Sequence, residues 1–278
     1  KCLVDTFDRN FSHQVEHIAL ADRTDLVLIA PATANVCAKL AHGLADDMLT
    51  TTVLACTCPK LIAPAMNTHM LENPITQDNI RTLEHYGFTV IPSGSGLLAC
   101  GDVGSGRLPE ESVLVDYVLR ELACEKDLTG KKVVVSAGAT QEPMDPVRYL
   151  TNHSTGKMGY AVARACMLRG AEVVLLSSTS CTQPDVPFVK KVPFTTAKDL
   201  FEAVKANAMD ADALVMAAAV ADYRPAEVAA DKVKKHDGEM NIALERTDDI
   251  LAWLGAHKPE TLFVCGFSME TRDLVENS

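Results

Sequence analysis

A glycine-rich stretch at residues 97–108, LLACGDVGSGRL, carries side chains that can move protons. Cys100, Asp102 and Arg107 lie among its glycines. A thiol titrates near neutrality, so Cys100 is a candidate proton donor or nucleophile, although most free cysteines are simply small buried side chains. Glycine at this density is more typical of a mobile lid than of a packed core. The stretch therefore predicts a lid over an active site.

Two other loops of the first half follow apolar runs, at residues 25–30 and 60–63, that predict buried strands ended by prolines. The loop at residues 31–35, PATAN, has small side chains that let a flat ligand approach the backbone, and Asn35 can cap the next helix. In the second loop Asn67 follows Met66. Its carboxamide can donate and accept hydrogen bonds, which suits a substrate group, and a helix cap is the alternative.

Three segments of the second half suit a nucleotide. The predicted loop at residues 137–155 exceeds the roughly 2–6 residues usual for a strand–helix connection. It brings hydroxyls, amides and Arg148 to a helix N-terminus, which favours an anion site. Small residues at 217–221 can lie against a base or sugar, and Asp222 can bind a sugar hydroxyl or a metal. The basic cluster DKVKKH at residues 231–236 favours triphosphate binding over the commoner solvated face.

Strands and helices alternate in both halves, which predicts an α/β protein of two domains, each a mainly parallel sheet flanked by helices. Ligands bind beyond the carboxyl ends of strands in such sheets, where these loops lie. A polar stretch at residues 124–130 predicts a linker between domains at 1–123 and 131–278. The predicted strands are at residues 25–30, 60–63, 89–91, 132–136, 172–176, 213–217 and 262–266, with a further short strand or its approach near Leu54; the predicted helices are at 35–49, 74–85, 110–122, 156–168, 196–209 and 247–254, and residues 93–108 are predicted to be irregular.

Composition argues against several classes of protein. The net charge of −11 and the aromatic content of 5% disfavour nucleic-acid binding. The longest apolar run, residues 213–221, has about half of the ~20 residues that span a bilayer. No secretory signal opens the chain, so its cysteines predict reduced thiols and a cytoplasmic protein. The start at Lys1 and the end at Ser278 within a helical pattern predict a fragment that lacks both ends.

Motifs of the first half occur in the order found in flavin-containing cysteine decarboxylases. His17 within VEHIALA, the segments PATAN, GLADDMLT and APAMNTHM, and the stretch ACGDVGSGR resemble the decarboxylase half of the bifunctional phosphopantothenoylcysteine decarboxylase / phosphopantothenate–cysteine ligases. The resemblance implies a flavodoxin-like/Rossmann-like fold and FMN-dependent decarboxylation of 4′-phosphopantothenoylcysteine to 4′-phosphopantetheine. It implies that His17 is an active-site base or electrostatic residue, that Asn67 holds the substrate carboxylate and that Cys100 donates the last proton. The implied cofactor-binding residues are Pro31, Ala32, Thr33, Ala34, Asn35 and Met66.

Motifs of the second half resemble the ligase half of the same family. They are DPVRYLTNHSTGKMG, AAAVADYRP, DKVKK and GFSMET. The resemblance implies a Rossmann-like fold in which CTP and Mg²⁺ activate the carboxylate of 4′-phosphopantothenate as an acyl-cytidylate, from which the amine of cysteine displaces CMP. It implies that Asn152 holds the intermediate and that Lys232 is catalytic, and it assigns no metal ligand. The implied substrate-binding residues are Arg148, Met216, Ala217, Ala218, Asp222, Asp248, Asp249, Ile250, Leu251 and Phe267.

Two other classes of function compete with this hypothesis. An NAD(P)-dependent oxidoreductase needs a G-x-G-x-x-G turn after the first strand of a domain, and neither half has a convincing one. A catalytically lapsed flavoprotein-fold subunit, acting as a binding or regulatory partner, is disfavoured because His17, Asn67 and Cys100 are all present. The resemblance also implies a homo-oligomer that acts on small-molecule substrates.

Overall fold

The computed structural model describes residues 16–97, 103–234 and 240–269 of the chain. Cys100 and the last residues of the GFSMET motif lie outside these ranges. The chain divides into two compact units, Lys1–Cys124 and Glu125–Ser278. No helix in the described ranges is both long enough and apolar enough to cross a membrane.

A three-stranded parallel sheet forms the centre of the first unit, which is α/β as the sequence predicts. Leu61, Ile62 and Ala63 of its middle strand expose no surface, as expected for an apolar run covered on both faces. The helices of this unit are α1 (Glu16–Arg23), α2 (Ala34–Ala41), α3 (Met48–Ala55), α4 (Thr68–Glu72), α5 (Pro74–His85) and α6 (Glu111–Leu122). The strands are β1 (Val27–Ala32), β2 (Lys60–Pro64), β3 (Phe88–Val90), β4 (Gly94–Leu97) and β5 (Val103–Arg107).

Helices cover both faces of this sheet, whose strand order is β1–β2–β3. Cys37 of α2, Val53 of α3 and Leu83 of α5 pack with Ile62 on one face. Leu61 faces the other side, where side chains of α6 cover it. Burial on both faces fixes the sheet, and with it the loops at the carboxyl ends of its strands.

The prolines do not end the first two strands, contrary to the sequence prediction. β1 continues through Pro31 to Ala32, and β2 includes Pro64. The register of β1 against β2 shifts between Ile29 and Ala32. A proline, which has no N–H to donate, is tolerated at such an irregularity, here in a strand with a described neighbour on one side only.

The single helix predicted at residues 35–49 is two helices. α2 ends at Ala41, and Gly43, at φ +68°, turns the chain. Asp47 then starts α3 with a capping box, because its Oδ1 accepts from Thr50 N at 2.8 Å while Asp47 N donates to Thr50 Oγ1 at 3.4 Å. Leu54 consequently lies in α3, and the prediction of a strand near it is wrong.

A five-stranded parallel sheet forms the centre of the second unit. Two short antiparallel pairs of strands accompany it, one between residues 141–143 and 149–151 and one between residues 223–225 and 244–246. The strands are β6 (Lys132–Ala137), β7 (Gln141–Pro143), β8 (Tyr149–Thr151), β9 (Glu172–Ser178), β10 (Lys190–Phe194), β11 (Ala213–Met216), β12 (Tyr223–Pro225), β13 (Leu244–Arg246) and β14 (Phe263–Gly266), and the helices are α7 (Lys157–Leu168), α8 (Ala197–Ala208) and α9 (Ile250–His257).

The strand order β10–β9–β6–β11–β14 is 3-2-1-4-5 in chain order, the arrangement of doubly wound folds. Val133 and Val135 of β6 pack on the face that α7 covers, whereas Val134 packs on the face covered by α8 and α9. The order reverses between β6 and β11. In such sheets the crevice beyond the carboxyl ends at this point is the expected ligand site.

Local capping sets where the last helix begins. The sequence predicts this helix from residue 247, but α9 starts at Ile250 because Asp249 is its N-cap. The Asp249 carboxylate accepts a hydrogen bond from Ala252 N at 2.9 Å. The residues before the cap, including Thr247 and Asp248, are thereby left in a loop at the carboxyl edge of the sheet.

Candidate functional site

Hydrogen bonds join the strand ends of the first unit's sheet. Ala65 N donates to Ala32 O at 2.9 Å, and Ser93 Oγ donates to Pro64 O at 2.6 Å. These contacts fix the two loops in which the sequence predicts cofactor and substrate residues.

The predicted cofactor-binding loop, residues 31–35, runs from the end of β1 into α2. Thr33 is the N-cap of α2, and its Oγ1 accepts a hydrogen bond from Val36 N at 3.3 Å. Asn35 lies in the first turn of the helix, so the prediction that it caps the helix is wrong. Pro31, Thr33 and Asn35 are exposed around the buried Ala32. This end of the sheet therefore presents an open surface of small side chains with one amide.

Asn67 caps the short helix α4. Its Oδ1 accepts a hydrogen bond from His69 N at 2.9 Å. Its neighbour Met66 donates from its backbone N to Gly106 O at 2.9 Å, and Thr68 Oγ1 donates to Ser105 O at 2.7 Å. The loop that carries Asn67 is thus bound directly to β5.

The glycines of β5 have a packing role. A Cβ at Gly106 would lie 2.1 Å from Met66 O, and one at Gly104 would lie 2.5 Å from Thr68 Oγ1. Residues 94–97 and 103–107, predicted to be irregular, are the two strands of an antiparallel hairpin. Close packing explains these glycines, which is a different reason from the mobile lid that the sequence predicts.

The two other predicted catalytic residues of this half are Cys100 and His17. Cys100 belongs to the connection between β4 and β5 and lies outside the described residues. His17 lies in the first turn of α1, where its Nδ1 is buried and has no hydrogen-bond partner among the residues described. The described contacts thus bring Asn67 together with the hairpin whose connection contains Cys100, and they do not join His17 to either.

A cavity of about 850 Å³ opens at the carboxyl edge of the second sheet, beyond β11 and beside the N-terminus of α9. It gathers most of the side chains that the sequence assigns to nucleotide and substrate binding. Those lining it are Asn152, Met216, Ala218, Asp222, Asp248, Asp249, Ile250, Leu251 and Phe267.

The backbone after β11 is fixed against the loop after β6. The buried Ser136 Oγ accepts from both Ala217 N and Ala218 N at 3.1 Å. Ala219 N donates to Gly138 O at 2.7 Å, and Ala221 N donates to Thr140 Oγ1 at 3.0 Å. A run of small side chains held in this way leaves one wall of the cavity open to close approach by a ligand.

The polar groups of the cavity come from three loops. Asn152 Nδ2 donates to Val220 O at 3.1 Å, which ties the loop after β6 to the loop after β11. Thr247 donates from its backbone N to Asp222 O at 2.9 Å and from its Oγ1 to Ala221 O at 2.6 Å. Amide, hydroxyl and carboxylate groups therefore converge beside small apolar side chains, as in sites for polar small molecules.

Arg148, Ala217 and Lys232 do not line the cavity. Ala217 is next to it in the chain. The Arg148 guanidinium donates to the buried Asp145 carboxylate and to Val233 O, so it is engaged away from the helix end where the sequence predicts an anion site. Lys232 is exposed. Lys232 directly precedes Val233, so the segment that carries it contacts Arg148 outside the cavity.

The N-terminus of α7, the predicted anion site, is closely packed against a thiol. A Cβ at Gly156 or at Gly138 would lie 2.6 or 2.4 Å from Cys181 Sγ. The described open space lies at the N-terminus of α9 instead. Cys181 lies in a different loop from Gly138 and Gly156, so the sequence gives no sign that the three pack together.

Sequence reasoning passed over some cavity residues. His153 lies within the DPVRYLTNHSTGKMG segment but has no predicted role, and Arg246 lies in none of the sequence motifs. Arg246 lines the cavity because β13 pairs with β12 next to Asp222. Within the described ranges, no group of three or more His, Cys, Asp or Glu side chains is arranged to hold a metal ion.

Two family models match the chain. One, described as DNA/pantothenate metabolism flavoprotein C-terminal domain, matches residues 128–278, and one described as Flavoprotein matches residues 1–123. The chain is 46% identical to the coenzyme A biosynthesis bifunctional protein CoaBC of Bacillus subtilis, over 97% of this chain and 67% of that protein. The protein of the same name from Mycobacterium tuberculosis H37Rv is 46% identical over 93% of this chain and 64% of its own length.

The chain thus spans about two thirds of the length of these relatives. Among solved structures, the crystal structure of the C-terminal domain of a coenzyme A biosynthesis bifunctional protein CoaBC is 41% identical over 54% of this chain and 70% of that chain, with a TM-score of 0.47.

Proposed function

The chain belongs to the DNA/pantothenate metabolism flavoprotein family, and we propose that it catalyses two steps of coenzyme A biosynthesis. Residues 131–278 ligate cysteine to 4′-phosphopantothenate at the expense of CTP. Residues 1–123 decarboxylate the 4′-phosphopantothenoylcysteine that results, and residues 124–130 link the two domains. The observation that carries the proposal is the cavity at the carboxyl edge of the second sheet, which gathers most of the side chains assigned to the nucleotide.

The cavity suits the ligation chemically. Its volume of about 850 Å³ is in the range of nucleotide-sized sites. The substrate carboxylate attacks the α-phosphorus of CTP and pyrophosphate leaves; the amine of cysteine then attacks the acyl carbon and CMP leaves. Asn152 holds the intermediate between the two attacks, and Lys232 offsets negative charge at phosphorus. Mg²⁺ is commonly held by one or two carboxylates together with substrate phosphates, and Asp222 and Asp248 offer carboxylates for it.

Cysteine-dependent release of pyrophosphate from CTP tests the ligation. We expect release only when 4′-phosphopantothenate, cysteine, CTP and Mg²⁺ are all present. No release by the chain, with release by a longer relative as the positive control, would refute the ligase assignment. Retained binding of CTP without turnover would then favour a catalytically lapsed binding subunit.

The first unit offers a surface of the right chemistry for FMN. Pro31, Thr33 and Asn35 are exposed at the strand end, so small side chains can lie along a flat ring while an amide meets its hydrogen-bonding edge. When bound, FMN supplies the two-electron oxidation of the cysteine side chain that makes loss of CO₂ easy. Asn67 holds the substrate carboxylate, His17 acts as base or electrostatic residue, and Cys100 supplies the last proton.

Flavin absorbance of the purified chain, together with release of CO₂ from 4′-phosphopantothenoylcysteine, tests this half. Bound FMN without CO₂ release would leave the flavoprotein assignment standing and remove the decarboxylase activity. We further propose that the chain forms a homo-oligomer and that it acts in the cytoplasm. The cysteines in the described part of the chain are free thiols, which suits a reducing compartment.

A further inference from the structure

An ion pair between a buried carboxylate, Asp145, and a partly exposed guanidinium, Arg148, lies outside the cavity, at the tip of the β7–β8 hairpin. The side chain of Asp145 is fully buried. Its Oδ1 accepts from Val147 N and Arg148 N at 2.8 Å each, and its Oδ2 accepts from Arg148 Nε at 3.0 Å and Arg148 Nη2 at 2.6 Å. Such a set of charge-assisted hydrogen bonds compensates the burial of the carboxylate.

This pair also binds both polar backbone groups of one distant residue. Val233 N donates to Asp145 Oδ2 at 3.1 Å, and Arg148 Nη2 donates to Val233 O at 2.8 Å. Ala229 N adds a second attachment by donating to Met144 O at 3.0 Å. The backbone of residues 229–233 is thus attached to the hairpin tip at two points.

The attached segment is the one that carries the lysines. Val233 stands between Lys232 and Lys234, whose side chains are exposed. The pair therefore leaves both ammonium groups accessible while it fixes the backbone between them.

The same hairpin leads from the pair to the cavity. β8 runs from the residue after Arg148 to Thr151, whose Oγ1 donates to Thr140 O at 2.7 Å, and Asn152 follows. At ~3.3 Å per residue, the Cα atoms of Arg148 and Asn152 are at most roughly 13 Å apart. A short continuous strand therefore connects the lysine segment to the cavity wall.

We propose that Asp145 and Arg148 are positioning residues that fix the lysine segment, residues 231–234, relative to the hairpin that bears Asn152. The inference rests on the proposed ligation, in which Lys232 offsets charge at phosphorus. Arg148 then acts through the backbone of Val233 and not as a direct ligand of the substrate. Positioning of this kind affects turnover because a charged group must be held close to the position of the developing charge.

Hydrogen–deuterium exchange at the Val233 amide tests the attachment. Asp145→Asn and Arg148→Met should each speed this exchange by about tenfold or more. The first removes the carboxylate that accepts from Val233 N, and the second removes the guanidinium that holds both this carboxylate and Val233 O. Asp127→Asn is the matched control, since Asp127 pairs with Arg169 elsewhere in the same unit. Exchange within α7 reports that the unit stays folded. Unchanged exchange at Val233 in both variants would overturn the proposal.

Ligation kinetics of the full chain test the consequence. Each variant should lower kcat by about tenfold with a smaller change in KM, and the double variant should be no slower than either single one, because the two residues act as one unit. A raised KM with an unaltered Val233 amide would make Arg148 a substrate ligand and overturn the proposal. A wild-type chain whose Val233 amide is protected but which releases no pyrophosphate would instead refute the proposed function.

Discussion

At Asn152, one side-chain amide links two strand-end loops, because Nδ2 donates to Val220 O. Asn152→Asp replaces this donor by a carboxylate, which cannot donate a hydrogen bond to the carbonyl or to the intermediate. We expect ligation to fall by at least tenfold, about 1.4 kcal/mol in activation free energy, while the Kd of CTP changes little. Product formation and titration calorimetry measure the two effects.

Asn207 provides the matched control for this prediction. Its Nδ2 also donates to a backbone carbonyl, Ala203 O at 2.8 Å, but it lies on α8 and does not line the cavity. Asn207→Asp should leave ligation close to the wild-type rate. Equal losses in the two variants would assign the effect of Asn152→Asp to general destabilisation.

Asp145 predicts a pH dependence of folding. The Arg148 guanidinium, aided by backbone N–H groups, holds the pKa of the Asp145 carboxyl well below its usual range. An unfolded Asp takes up its proton near about 3.9, so the stability that Asp145 contributes is full above that pH and is lost as the pH falls toward the folded pKa. The difference in free energy of unfolding between wild type and Asp145→Asn should therefore shrink on acidification.

The single tryptophan of the chain, Trp253 in α9, follows unfolding of the second unit by fluorescence in urea. Asp127→Asn is again the control, because the Asp127 carboxyl is half exposed and pairs with Arg169 only at the surface. A difference between wild type and Asp145→Asn that stays constant with pH would contradict the assignment of this carboxylate.

The sequence predicts which residues lie at the ends of the strands. It does not predict which distant residues they contact. Asn152 lies in the long connection between β6 and α7, and Asp222 lies in the connection that follows β11, so the cavity they share is expected at the carboxyl edge of the parallel sheet. Arg148 was expected at an anion site. Its contact with Val233, 85 residues away, depends on a hairpin and a returning loop that no local pattern reveals.

At the scale of elements, β5 and the Asn67 loop depend on glycine. Gly106 has φ +114°, and a Cβ there would lie 2.1 Å from Met66 O. Gly106→Ala should cost about 3 kcal/mol of folding free energy, from backbone strain and a clash with backbone. Gly43→Ala is the control, because φ is +68° but nothing lies within 4 Å, and it should cost about 1 kcal/mol. Urea unfolding followed by circular dichroism gives the free energy of unfolding of both variants. Similar losses of stability in the two would contradict a packing role for Gly106.

The start of α3 depends on Asp47. Backbone hydrogen bonding from Thr50 lowers the pKa of the Asp47 carboxyl. Asp47→Ala should lower the free energy of unfolding by about 1 kcal/mol at neutral pH. Asp46→Ala should cost less, because Asp46 also contacts Lys39 but does not cap the helix. Urea denaturation measures the free energy of unfolding of both variants. An equal loss of stability in the two would assign the effect to the contact with Lys39 and not to the helix cap.

Elements with strong signals were predictable, and short ones were not. α5 spans Pro74–His85 as predicted, because proline at its first turn and the following apolar positions mark a helix. The three-residue strands β7, β8, β12 and β13 are too short for a period to be read, and they are set by pairing. They nevertheless place Asp145 and Arg246.

At the scale of the molecule, each unit has its own sheet and its own core, and the proposed function places one site at the strand ends of each. In the proposed function the product of the second unit is the substrate of the first. Changes in one site should therefore leave the chemistry of the other intact, since mutations without shared partners act independently.

A block in the first unit should make the intermediate accumulate. Asn67→Asp keeps the oxygen that caps α4 through His69 N, but it sets a negative charge against the substrate carboxylate. Given 4′-phosphopantothenate, cysteine and CTP, this variant should release pyrophosphate at the wild-type rate while 4′-phosphopantothenoylcysteine builds up, with CO₂ release at least about tenfold slower.

Asn73→Asp is the matched control, because Asn73 caps α5 through Ile75 N in the same way, and this variant should release CO₂ normally. Mass spectrometry of the products decides, and normal CO₂ release by Asn67→Asp would remove Asn67 from the decarboxylation.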